Sequence, residues 1–344
     1  MTEEICLPSP IAGMPAASLA TTPHTYEKLQ SKSNHIRILV LHPSQDPSAD
    51  LRCSIQQHVL ADIGGRFESI SYTWGSESLD CDLYCDDGSV IKITANLHSA
   101  LSRFRSGSDP RCIWADAVCI NQADAEEKSL QIPLMPQIYR SARRVLIWLG
   151  PGTDGQSKAM LALARNVHND DDSQVSDSVR MFFKLPWFGR RWVVQEAVLN
   201  PDTVFYCGAS EVSWPRLHLA IKSLPDSIWN DTPSRAVRKA LFKLGELWRT
   251  WSYLDQSTEN CELFDLLDSF HHLECREAKG RIYALNGLAR DMQRSVPTQF
   301  AQANYSLVPD YSLSDDAVFL QLALRQMQAG KIFTTLAHAG ALRP

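Results

Sequence analysis

Between Arg111 and Gly150 the sequence RCIWADAVCINQADAEEKSLQIPLMPQIYRSARRVLIWLG gathers a carboxylate, a thiol and two carboxamides at Asp116, Cys119, Asn121 and Gln122. A carboxylate there could orient hydroxyls or take a proton, and a thiolate could attack an electrophilic carbon. The thiol needs a base, and nothing in the sequence brings the candidate, His98, close to Cys119. A buried structural cysteine is therefore the favoured reading. The amides of Asn121 and Gln122 fit a loop fastener better than a substrate contact. For Asp116 two roles stay open: a turn or helix-cap residue serving Cys119 and its neighbours, or a site residue. Tyr72 and Trp74, which end an apolar run, read either as core or as aromatic walls of a crevice.

These side chains must be positioned by the elements around them. Cys112 to Asp116 and Arg144 to Leu149 read as buried strands, and Asp124 to Arg143 is long enough to cross between them as a helix. That is a βαβ unit, whose ligand crevice lies at the carboxyl ends of its strands, where Asp116, Cys119, Asn121 and Gln122 fall. Upstream, Ile36 to Leu41 and Phe67 to Thr73 read as strands, and Asp82 to Thr94 reads as a hairpin turning at Asp86-Asp87-Gly88. Asn96 is the expected N-cap of a helix that lines up Leu97, Leu101 and Phe104. Downstream come a helix with Met160, Leu161 and Leu163, an acidic loop at Asp170-Asp171-Asp172, and a punctuation at Pro186-Trp187-Phe188-Gly189. Arg190 to Leu199 has helical spacing, and Thr203 to Cys207 is the last clear strand. From Trp214 onward the patterns are helical: Ala236 to Trp251, Cys261 to His272, Arg281 to Asp291 and Ser314 to Gln328. The expected organisation is a disordered lead over 1–24, an α/β unit over 25–220 and a helical region over 221–344.

The chain of 344 residues, 44% hydrophobic, can bury a large core. A net charge of −5 with scattered Lys and Arg gives no reason to expect a nucleic-acid partner. Nine cysteines without paired CxxC spacing suggest reduced thiols in a cytosolic or nuclear compartment, and a cytoplasmic location is expected. Cys81 and Cys85 flank the predicted hairpin, but no neighbouring His or second Cys pair completes a metal site, and none is assigned. The proline-rich first residues begin with Glu3 and Glu4 rather than a basic region, unlike a signal peptide. No apolar run approaches the ~18 residues of a membrane span. Gly150 to Gly155 matches GxGxxG. Its strand is not the first of a nucleotide-binding half, however, Pro151 is unusual there, and the following acidic residues sit in a polar loop, so a plain turn is expected. GxxxxGK[ST], GxSxG and HExxH do not occur, which removes the usual markers of phosphoryl transfer, serine hydrolysis and zinc proteolysis.

SYTWG at Ser71 to Gly75, IWADAVCINQ at Ile113 to Gln122, MPQIYRSARRVLIWLG at Met135 to Gly150 and WFGRRWVVQE at Trp187 to Glu196 together resemble the fungal heterokaryon incompatibility (HET) domain, in the family's order, over about residues 26 to 215. GRIYALNGL at Gly280 to Leu288 and PDYS at Pro309 to Ser312 resemble the region that follows it in such proteins. Pro133 and Pro136 depart from the family's helical run and should kink or break that helix. HET domains are in turn similar to TIR domains. That implies a TIR/flavodoxin-like, mainly parallel α/β sheet with an added hairpin, followed by a mostly helical C-terminal region.

The resemblance also implies a role in non-self recognition and programmed cell death. Partners would be other incompatibility proteins or further copies of the chain, with no cofactor and with NAD or a related nucleotide as possible substrate. In TIR enzymes the catalytic glutamate follows a tryptophan by four residues, the spacing of Trp192 and Glu196, which puts both on one helical face. Glu196 is then the candidate catalytic carboxylate, and Tyr72, Trp74, Asp116 and Trp192 are the candidate substrate-binding residues. The same residues admit a structural reading, in which Trp192 is a core tryptophan and Glu196 pairs with Arg190 or Arg191. Two further alternatives are a non-catalytic docking module and a HET-like protein recruited to fungal small-molecule biosynthesis.

Overall fold

A computed structural model describes residues 22–30, 34–75, 78–165, 173–253, 261–293, 307–332 and 335. The expected lead, up to residue 21, and the acidic loop at 170–172 lie outside the described residues. Among the described residues, ten strands form one open sheet: β1 (Thr22–Pro23), β2 (His35–Leu41), β3 (Arg52–Val59), β4 (Glu68–Tyr72), β5 (Cys81–Cys85), β6 (Ser89–Ile93), β7 (Arg111–Trp114), β8 (Arg144–Trp148), β9 (Thr203–Cys207) and β10 (Ser210–Ser213). Their spatial order is β1-β6-β5-β3-β2-β7-β4-β8-β9-β10.

The centre of the sheet is parallel. Glu68 pairs with Ile113, Ile70 with Leu146, and Ile147 with Phe205, so β7, β4, β8 and β9 run in one direction. Every residue of β4 and β9 is buried, as expected for strands covered on both faces. The chain visits these four positions second, first, third and fourth, the start of the flavodoxin-like 2-1-3-4-5 order. The expected βαβ unit of β7 and β8 is therefore a split one, with β4 between its strands. In such sheets the winding reverses beside the first strand, and the crevice opens at the carboxyl ends there.

One carboxylate anchors the opposite ends of these strands. Glu68, 3% exposed, accepts from Arg111 Nε at 2.8 Å and from Arg143 Nη2 at 3.1 Å, tying the starts of β4, β7 and β8 together. The expected hairpin is β5 and β6, antiparallel from Cys81↔Ile93 to Tyr84↔Val90. The sequence reading passed over β3, β10 and β1, whose two residues it placed in the disordered lead. β3, RCSIQQHV, has few apolar positions, because its antiparallel pairing with β2 leaves much of it only half-buried.

The crossover breaks where its prolines stand. A helix over Ala125–Gln131 gives way to a 3₁₀ turn over Ile132–Leu134 and resumes over Met135–Ser141. Pro133 and Pro136 each fall in the first turn of the segment they open, where a missing N–H leaves no helical bond unmade.

Beyond the sheet, helices over Trp214–Ser223, Thr232–Tyr253, Leu263–Ser269, Gly280–Asn286 and Asp315–Gln328 share its core. Arg191, 2% exposed, joins the two parts by donating to the carbonyl oxygens of Phe270 at 2.6 Å and Leu273 at 3.2 Å. His218 fills the space above Gly245, where a Cβ would meet its Cε1 at 1.9 Å. Helix propensity alone would favour Gly245→Ala by about 1 kcal/mol. Overpacking against a buried ring costs about 1 to 3 kcal/mol and should win. Urea unfolding of Gly245→Ala should therefore show a net loss of stability, and a gain would show that the His218 ring yields freely.

Candidate functional site

The carboxyl ends of β4 and β7 and the turn before Val193 converge on one buried carboxyl. Pro186–Gly189 forms a 3₁₀ turn that drives the Trp187 indole into the core against Phe205, 5.2 Å between ring centres. After Arg190 and Arg191 the chain enters a helix over Val193–Val198, VVQEAV, whose six residues are all buried. A helix buried all round belongs in a protein interior, and its one acidic side chain has to find donors there. Glu196, 3% exposed, finds them on β4. Ser71 Oγ donates to Glu196 Oε2 and in turn accepts from Trp187 Nε1 at 2.8 Å. Arg190 Nη1 donates to the carbonyl oxygen of Tyr72 and stands 4.0 Å from Glu196 Oε2.

Two tendencies compete at this carboxyl. Burial disfavours the charge, while Arg190 and the Ser71 hydroxyl favour it. Burial wins, with a smaller push from Asp116, and the pKa rises to about 7. The carboxyl thus exchanges its proton near neutral pH. Around it, burial, then the charge of Asp116, holds the Tyr72 phenol well above its usual range. Burial, then the charge of Glu196, does the same for Tyr139, whose hydroxyl donates to the carbonyl oxygen of Ile70 at 3.2 Å.

The expected site residues do not all face one space. Asp116 opens a short helix over Asp116–Cys119, and its side chain serves the local turn and Trp74. Its Oδ1 accepts from the Ala117 N–H at 2.8 Å, and its Oδ2 accepts from Trp74 Nε1 at 3.1 Å. Tyr72 is buried beneath them, with the Asp116 carboxylate as its charged neighbour. Trp192 caps the helix of Glu196 and turns toward Gly280, where an added Cβ would lie 3.6 Å from its Nε1. A cleft of about 630 Å³ lies above, lined among others by Thr73, Trp74, Arg190, Val237, His272 and Glu274. Of the five expected site residues, Trp74 alone lines it, and Arg190 reaches from the cleft to the carboxyl beneath.

Several residues were not singled out in the sequence. Ser71 and Trp187 carry no signal of their own beyond lying in motifs, and of the two arginines weighed as partners of Glu196 it is Arg190 that stands beside it. Asn96 is not the N-cap; Thr94 is, its Oγ1 accepting from the Leu97 N–H at 3.3 Å. Asn96 sits inside the helix and joins strand ends instead. Its Nδ2 donates to the carbonyl oxygen of Thr73 at 2.6 Å, and its Oδ1 accepts from Trp148 Nε1 at 3.1 Å. That fixes the segment bearing Trp74. An amide bonded to two strand ends satisfies more groups than a cap would, which Thr94 can supply.

Cys119 is fully buried and burial pushes its thiol up to about 12, so it stays protonated and inert, as the sequence reading favoured. Gln122 Nε2 donates to the carbonyl oxygen of Asp116 at 2.8 Å, fastening the loop. The GxGxxG stretch is a turn packed on the end of β9. Gly152 has φ 72°, and a Cβ there would meet Cys207 Sγ at 2.9 Å.

The model of the heterokaryon incompatibility protein (HET) family matches residues 67–196, from the residue before β4 to Glu196 itself. Heterokaryon incompatibility protein 6, OR allele, of Neurospora crassa is 29% identical in an alignment covering 54% of this chain and 35% of that protein. The chain thus spans about a third of that relative's length. No solved structure matches the chain. Among the described residues, no helix is long and apolar enough to cross a membrane.

The raised pKa of Glu196 predicts a signature in stability. Unfolded, the carboxyl loses its proton near its ordinary 4.5; folded, it keeps the proton until about 7. The folded state binds more protons in that window, so the contribution of Glu196 to stability falls as pH rises through it. His218 and His272, both lowered to about 4 chiefly by burial, contribute in the opposite sense, so the comparison must isolate Glu196. Urea unfolding of wild type beside Glu196→Gln should show the variant gaining on wild type between about pH 4.5 and 7, by on the order of 3 kcal/mol. A difference independent of pH would mean that the carboxyl titrates normally.

Proposed function

The chain carries a HET domain, the heterokaryon incompatibility module, and on that premise we propose that it serves in fungal non-self recognition leading to growth arrest or cell death, by cleaving NAD or a related nucleotide with Glu196 as the essential carboxylate. The observation that carries this reading is the Glu196 carboxyl, poised near neutral pH beside the point where the strand order reverses. In the reaction the bond from ribose C1′ to the nicotinamide nitrogen breaks, and nicotinamide leaves with the bonding pair. The developing oxocarbenium ion needs a negative charge nearby, which an ionised Glu196 supplies, and it can hold the ribose hydroxyls as well. Water then adds to C1′ and gives its proton to a carboxylate. Trp74, at the cleft, is available to stack on nicotinamide or adenine.

Glu196 lies under Arg190 in the arrangement described, so substrate must displace that guanidinium to reach it. Self-assembly, or docking of another incompatibility protein, is the proposed trigger for that displacement. A second reading rests on the same burial: a carboxyl that Ser71 and Arg190 already satisfy needs no substrate, and the HET unit would then be a docking module.

NAD consumption by the purified chain at high concentration decides between them, with Glu196→Ala and Glu196→Gln alongside and thermal melts on all three. The catalytic reading expects turnover in wild type and a loss of about 10²-fold or more in variants that remain folded. Absence of turnover in assembled wild type would favour the docking module.

A further inference from the structure

The far edge of the sheet brings together His24, Cys53, Cys85 and Asp87, ligand types from well-separated stretches of the sequence. β1 runs parallel to β6, with Thr22 opposite Ser89 and Pro23 opposite Val90. The next residue, His24, is fixed by its backbone N–H donating to the carbonyl oxygen of Val90 at 3.0 Å. This places the His24 ring over the β5–β6 turn. There a His24 ring nitrogen, Cys85 Sγ and an Asp87 carboxylate oxygen all lie within 4.8 Å of one another. Cys53 stands directly opposite Cys85 on the parallel strand β3, and the two sulfurs are 3.9 Å apart.

We propose that His24, Cys85 and Asp87 bind a single zinc-class divalent cation, with Cys53 as fourth ligand. The chemistry of the donors selects the metal: thiolate and imidazole with one carboxylate suit Zn²⁺ or Co²⁺ and disfavour Mg²⁺ and Ca²⁺. The geometry fits too. With metal–sulfur bonds of about 2.3 Å and metal–nitrogen or metal–oxygen bonds of about 2.0 to 2.2 Å, tetrahedral ligand atoms lie roughly 3.3 to 3.8 Å apart. The two sulfurs stand 3.9 Å apart, and His24 Nδ1 lies 3.8 Å from Asp87 Oδ2. The remaining separations among the first three ligands, within 4.8 Å, need to close by about 1 Å, and Cys53, placed through its contact with Cys85 and outside that group of three, has to turn further toward His24 and Asp87.

Outer contacts already orient the ligands. The backbone N–H and the hydroxyl of Ser89 both donate to Asp87 Oδ1, at 2.8 and 2.6 Å, leaving Oδ2 directed at His24. The Ser89 contacts to Asp87 are of the kind that regularly orient a ligating carboxylate. The same hydroxyl lies 2.8 Å from His24 Nδ1, a contact the cation would replace. All eight cysteines among the described residues are free thiols, so neither sulfur is tied up in a disulfide, and the cation would displace their protons.

The ion would clip the strap that follows β1 to the sheet. Two residues along, Tyr26 donates to the carbonyl oxygen of Val118 at 2.9 Å and lies under Arg37, 4.9 Å from its ring centre. The strap thus leads from the cation site to the short helix that begins at Asp116.

The test is titration of the whole chain, purified under reducing conditions and stripped with chelator, first with Co²⁺ and then with Zn²⁺. The expected result is one tightly bound Co²⁺ per chain, with thiolate-to-cobalt charge-transfer absorption and the strong visible bands of a tetrahedral site, displaced by one Zn²⁺. Cys85→Ser and Cys53→Ser should each cut the charge-transfer band by about half and the double variant should abolish it, and His24→Gln and Asp87→Asn should each weaken binding tenfold or more. Lack of the band in wild type, its survival at full intensity in Cys85→Ser or at all in the double variant, or unchanged affinity in both His24→Gln and Asp87→Asn would overturn the proposal. The Asp87 side chain is 61% exposed, so metal-free Asp87→Asn should melt with metal-free wild type, and weaker binding there cannot be laid to misfolding.

Discussion

A carboxyl sealed in a protein interior must either be met by donors or keep its proton, and Glu196 does some of each. Desolvating an isolated carboxylate costs far more than the whole stability of a domain. The Ser71 hydroxyl, lined up by Trp187, and the Arg190 guanidinium bring that cost within reach without removing it. Satisfying Glu196 fixes much else: the 3₁₀ turn that inserts Trp187, the path of Arg190 across the end of β4, and the burial of the helix that follows.

The central place of β4 follows from the same demands. Its amino end meets two arginines through Glu68, one opening β7 and one just before β8, and its carboxyl end meets Glu196 through Ser71. A strand buried on both faces can hold polar side chains only where each has its partners. Register along β4 is thereby fixed by polar pairs at both ends as well as by packing, since a one-residue slip would strand every one of these groups.

Two adjacent arginines divide their work in opposite directions. Arg190 turns toward the sheet and the cleft, and Arg191 turns away to collect carbonyls from the helical region. Between them, the backbone pairs with Glu274, whose N–H donates to the carbonyl oxygen of Gly189 at 2.7 Å and whose carbonyl oxygen accepts from the Arg191 N–H at 2.9 Å. The helical region therefore helps to build the wall of the cleft, and a displacement of either part would be felt at the cover over Glu196.

The sequence by itself determined the parts that depend on local pattern. Continuous apolar runs gave β2, β4, β7, β8 and β9; turn residues gave the β5–β6 hairpin; and two prolines gave the break in the crossover. The motifs likewise singled out Glu196, Asp116 and Trp74 as candidates. What the tertiary structure decided is which polar groups meet. Ser71 reaching Glu196 spans 125 residues, Trp187 reaching Ser71 spans 116, and Asn96 trades a cap for two strand ends. It also turned Trp192 toward Gly280 and placed β3, a strand too polar to read, between β2 and β5. The physical reason is range. Period and turn chemistry act over a few residues and are written in the local sequence, whereas desolvation and hydrogen-bond satisfaction are settled only by the neighbours that the completed sheet supplies.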